Sequence, residues 1–156
     1  MAAAAVVFFV VDGGEEGEPA PAGQTPPGRP TGDPGEPAEP DAELARQTLD
    51  YLAGEGAPAL TMHRAAAGLG DRPAADRCRQ VGATLDRDAP PDQLVLVIEG
   101  VPDEVLRDLL GDERASLGVT LTACVKGEQP TYERVAPLPD AVTLVQRRLD
   151  SLEAIR

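Results

Sequence analysis

The sequence predicts an all-α protein, a small Ala-rich bundle of about five to six helices behind a long spacer. Three observations predict it. Beyond residue 40 the apolar side chains recur at three- and four-residue spacing. Pro and Gly interrupt that pattern at intervals of a helix length. The composition also changes abruptly along the 156 residues, so that 1–11, 12–40 and 41–156 read as three different materials.

Residues 1–11, MAAAAVVFFVV, are wholly apolar. A bilayer-spanning helix needs about 20 such residues, so the run is short for that role. It also lacks the cationic start of a signal peptide. Three readings stand: the outer half of a transmembrane anchor, a buried strand or short helix, or an uncleaved targeting segment.

Residues 12–40 hold 8 of the 16 Pro and 7 of the 16 Gly, with 7 acidic residues against the single Arg29. No Leu, Ile, Val or aromatic residue occurs there. Such a stretch lacks the apolar surface to offset the entropy of ordering it, and it reads as a disordered, extended linker.

Residues 41–156 read as the folded part. They carry 20 acidic and 13 basic residues, so the chain's net charge of −13 divides almost evenly between spacer and domain. Asp41 is an N-cap candidate, with Leu44, Thr48, Tyr51 and Leu52 on one helical face before Gly54. Ala59 to Ala67 reads as a second helix closed by Gly68 and Gly70. Pro73 suits the first turn of a third, in which Ala74, Cys78, Val81 and Leu85 share a stripe. The run Leu94 to Ile98 has the residue types of a buried strand. A lone strand has no partner, so it reads as a short helix after Asp92. Pro102 opens the longest helix, carrying Leu106, Leu110, Leu117, Leu121 and Cys124, with a kink or break predicted at Gly111. Pro139 and Asp140 open the last, where Val142, Val145, Leu149, Leu152 and Ile155 form a seam near heptad spacing.

Cys78 and Cys124 are the only cysteines. Each falls on an apolar stripe, and their even number fits a disulfide in an oxidising compartment. Two buried free thiols are the alternative. A bridge across 46 positions would contribute about 4 kcal/mol in the chain-entropy model.

Little else in the chain carries chemistry. The chain has one His, one Lys, no Trp and no Asn, and its only serines are Ser116 and Ser151. No G-x-S-x-G surrounds either serine. His63 reads as an exposed or half-buried helix residue. Asp86, Asp88 and Asp92 resemble a calcium loop only until Pro90 and Pro91 occupy positions that such a loop reserves for a ligand and a glycine. Arg147 and Arg148 read as a solvated pair near Asp150. No catalytic, cofactor or metal residue is assigned. The acidic balance argues against nucleic acid as a partner.

With its apolar start, its acidic Pro/Gly spacer, Arg77-Cys78-Arg79 and Leu121-Thr122-Ala123-Cys124, the chain resembles a broad group of secreted or membrane-tethered actinobacterial proteins. Its 13 Arg against one Lys and its 24 Ala fit a GC-rich genome. The resemblance implies a compartment rather than an activity. The order of apolar segment, spacer and domain, with the cysteine pair, leads to an expectation of a non-enzymatic extracytoplasmic helical domain, tethered to the membrane, that binds a protein or cell-envelope partner without a cofactor. Two alternatives remain: a cytoplasmic acidic interaction module that oligomerises through the Val142–Ile155 seam, and an enzyme built on buried carboxylates.

Overall fold

A computed structural model of the chain describes residues 41–156. The readings made for 1–11 and 12–40 lie outside those residues. Six helices follow one another: α1 (Ala42–Ala53), α2 (Ala57–Ala67), α3 (Ala75–Asp88), α4 (Pro91–Glu99), α5 (Glu104–Lys126) and α6 (Leu138–Ile155). The all-α reading therefore holds for the described residues, and Leu94 to Ile98 are helical. None of these helices is long and apolar enough to cross a membrane.

The caps show why the elements begin where they do. Asp41 Oδ1 accepts from the Leu44 N–H at 2.7 Å, and Asp103 Oδ1 accepts from the Leu106 N–H at the same distance. Both place a carboxylate on the orphan N–H groups of a first turn. Pro at the first or second position opens α2, α4 and α6, where a missing N–H costs nothing. At α3 the expectation was one turn early. Pro73 lies outside the helix and Ala74 is its N-cap residue. Gly127 closes α5 at φ 74°, and the Glu128 N–H reaches back to the Ala123 carbonyl at 2.9 Å. That left-handed turn is one glycine adopts without a Cβ clash. The predicted break at Gly111 does not occur, since α5 runs unbroken through both Gly111 and Gly118. Packing on α3 and α6 outweighs a propensity cost of about 1 kcal/mol per glycine.

The organising element is α2, which packs against each of the other helices. Its sequence explains this. Ala59, Met62 and Ala66 are buried, and the small side chains let neighbours approach from several sides. Around it, α5 packs on α6 and on α3, and α1 closes on α6. Val145, Leu149 and Leu152 are buried inside this arrangement. Three of the five seam residues of α6 are thus buried within the chain, while Val142 is half-buried and Ile155 exposed.

One corner is filled by an aromatic ring. The half-buried Tyr51 of α1 donates its hydroxyl to the Val97 carbonyl of α4 at 2.8 Å. Gly56 and Gly100 make room for it. A Cβ on Gly56 would stand 2.8 Å from two ring carbons, and one on Gly100 would overlap the hydroxyl.

Candidate functional site

Cys78 of α3 and Cys124 of α5 form a disulfide, with Cα atoms 6.3 Å apart. Their stripes place them face to face: Cys78 is 1% exposed and Cys124 is half-buried. The bridge staples α3 to α5 near the start of one helix and the end of the other.

Two buried polar clusters were not expected. The first centres on His63 of α2, which is 5% exposed. Its Nδ1 lies 2.9 Å from Oε1 of Glu113 on α5, itself wholly buried, and its Nε2 lies 3.1 Å from Oε1 of Gln146 on α6. Gln146 donates its amide N–H to Asp150 at 2.8 Å, which turns its carbonyl oxygen toward the ring. Each ring nitrogen faces an acceptor oxygen, an arrangement that favours the protonated, charged imidazole. Burial opposes that charge. The hydrogen bond and charge of Glu113, with help from Gln146, outweigh burial and a small opposing effect of Arg64. The net effect raises the His63 pKa above its ordinary 6.5. The second Glu113 oxygen, Oε2, and Thr48 Oγ1 are buried without a hydrogen-bond partner among the described residues.

The second cluster joins α5 to α6. Asp103, already the α5 N-cap, accepts from Arg148 Nε at 3.0 Å and Nη2 at 2.6 Å. The two side chains are 2% and 10% exposed. Arg148 is therefore a buried fork on a carboxylate, whereas the sequence placed it on a solvated face.

The two clusters are separate from each other. Asp103 and Glu113 are ten residues apart on one unbroken helix, about 15 Å of rise, and each is committed to its own cation. Neither His63 nor Glu113 lines a cavity described below. Ser116 is fully buried, with its hydroxyl 2.8 Å from the Ala136 carbonyl and 2.9 Å from that of Asp112. One turn on, Thr120 Oγ1 lies 2.9 Å from the Tyr132 hydroxyl. These two residues fasten the segment between α5 and α6. Asp86, Asp88 and Asp92 are exposed, and Asp88 pairs with Arg87. No group of three or more His, Cys, Asp or Glu among the described residues is placed to hold a metal.

Two cavities border the α3–α5 pair. One of about 230 Å3 lies beside the disulfide, lined by Arg72, Pro73, Thr120, Cys124, Gln129 and Tyr132 among others. The other, about 190 Å3, lies on the α3–α5 seam with an apolar floor that includes Met62, Leu85, Leu94, Leu117 and Leu121. Gly82 of α3 and Gly118 of α5 border this second cavity.

No family model matches the chain, and neither a curated protein nor a solved structure matches it.

Proposed function

We propose that this protein is a non-enzymatic helical binding domain working outside the cytoplasm, held at the membrane by its apolar N-terminal run and engaging a protein or cell-envelope partner. The observation that carries the compartment is the Cys78–Cys124 disulfide. Cytosolic reductants keep thiols open, and bridges persist in oxidising compartments. A binding role is supported by what the buried polar groups do. His63, Glu113, Asp103, Arg148 and Ser116 are all engaged in holding helices or loops together. The reading of an enzyme with converging buried carboxylates has no such convergence to rest on.

Mass spectrometry of exported full-length protein, digested without reductant, tests the compartment. The expected result is a peptide pair joined through Cys78 and Cys124. Free thiols in exported protein, or all of the protein in the cytosolic fraction, would overturn the reading.

A further inference from the structure

Gly82 and Gly118 occupy the interiors of α3 and α5. A helix-interior glycine costs about 1 kcal/mol relative to alanine. Small residues on facing helices usually repay that cost by letting the backbones touch. Here they do not, since a Cβ built on either residue meets no atom within 4 Å. Both residues border the apolar cavity of the α3–α5 seam. The space is a groove half open to solvent, with Gly118 exposed at its edge. The disulfide fixes the distance between the two helices at one end, and Pro91 and Leu94 of α4 wall the other.

The size and edge of the cavity define what fits. Its volume, about 190 Å3, slightly exceeds an engineered apolar cavity of about 150 Å3 that holds benzene. That is room for an apolar body of about six to ten non-hydrogen atoms. Arg114 of α5 stands at the rim, exposed and outside every ion pair among the described residues. Its planar fork is suited to a carboxylate. Asp86 stands on the α3 side of the same rim and disfavours a second acidic group.

We propose that the α3–α5 seam is a binding site for a small monocarboxylate with a single-ring or branched apolar body. The apolar part lies between Gly82 and Gly118 over Met62, Leu85 and Leu117, and the carboxylate meets Arg114. This site does not depend on the compartment proposed above, and its failure would leave that reading standing.

The test uses full-length disulfide-bonded protein titrated with phenylacetate, phenylacetamide and 2-phenylethylamine, followed by NMR chemical shifts. Phenylacetate is expected to saturate with a Kd of about 1 mM or tighter, perturbing Leu85, Leu94 and Leu117 methyls. Arg114→Gln should weaken it about tenfold, to the level of phenylacetamide. Gly118→Leu should plug the cavity and abolish binding of both. Gly82→Leu serves the same purpose if the first variant does not fold. The proposal is overturned if phenylacetate does not saturate, if the amine binds as well as the acid, or if a folded plugged variant binds like the parent.

Discussion

Two pairs of glycines do opposite things in this bundle. At the Tyr51 corner, Gly56 and Gly100 are pressed against an aromatic ring, and a methyl group on either would collide. On the α3–α5 seam, Gly82 and Gly118 face empty space. The first pair is explained by packing, because the corner gains a Tyr51–Val97 hydrogen bond and a filled interior. The second pair gains no contact from lacking a side chain. The same residue type thus marks a place where the fold is closed and a place where it is held open. Only the surroundings distinguish them.

The largest expected effect concerns what holds the closed interior together. His63→Ala leaves the Glu113 carboxylate buried without its cation. Unfolding in urea should show a loss of about 3–5 kcal/mol. A loss under about 1 kcal/mol would mean that the pair is solvated and that the interior is looser than described.

Next comes the staple that defines the open seam. Replacing Cys78 and Cys124 together by alanine should cost about 4 kcal/mol, with the parent losing a similar amount in reductant. Unfolding midpoints that ignore reductant would contradict a bridge between α3 and α5.

At the corner, Gly100→Ala forces the Tyr51 hydroxyl from its place and should cost about 2 kcal/mol. In a Tyr51→Phe background the same change should cost less, because the clashing oxygen is gone. Additivity in that double-mutant cycle would show that Tyr51 is not the reason for Gly100.

A smaller effect is set by pH. An unfolded histidine titrates near 6.5, and the Glu113 partnership holds folded His63 above that value against the opposing effect of burial. Between the two values the folded chain keeps a proton that the unfolded chain releases. The stability this contributes is complete below about pH 6.5 and is lost as pH rises through the folded value, at no more than about 1.4 kcal/mol per pH unit. Thermal midpoints should therefore fall from about pH 6 to about pH 8 in the parent and stay level in His63→Gln. Equal slopes in the two proteins would show that another group is responsible.

The helices were legible because their signals are local, and the bridge because the chain has only two cysteines to pair. Asp41 as a cap and Pro139 at the opening of α6 each act within a turn or two of the chain. The polar interior was not legible, because its partners are distant. His63 meets Glu113 across 50 positions and Gln146 across 83. Asp103 meets Arg148 across 45. In one dimension a lone histidine and a pair of arginines look like solvated side chains, and only the packing of α2, α5 and α6 buries them. The cavity on the α3–α5 seam was hidden for a related reason. A glycine in a helical pattern carries no sign of whether a neighbour presses on it or stands away from it.

The contrast between the two glycine pairs can be put to one measurement. A protein carrying Gly82→Ala and Gly118→Ala, with its disulfide intact, is melted and titrated with phenylacetate. Two alanines that meet no neighbouring atom should raise helix stability by about 1 kcal/mol or more in total, and so raise the thermal midpoint. The same methyl groups narrow the cavity, so phenylacetate affinity should fall. A more stable protein that binds less is the predicted result. A lowered midpoint would show that these glycines serve packing after all, and undiminished binding would show that the ligand sits elsewhere.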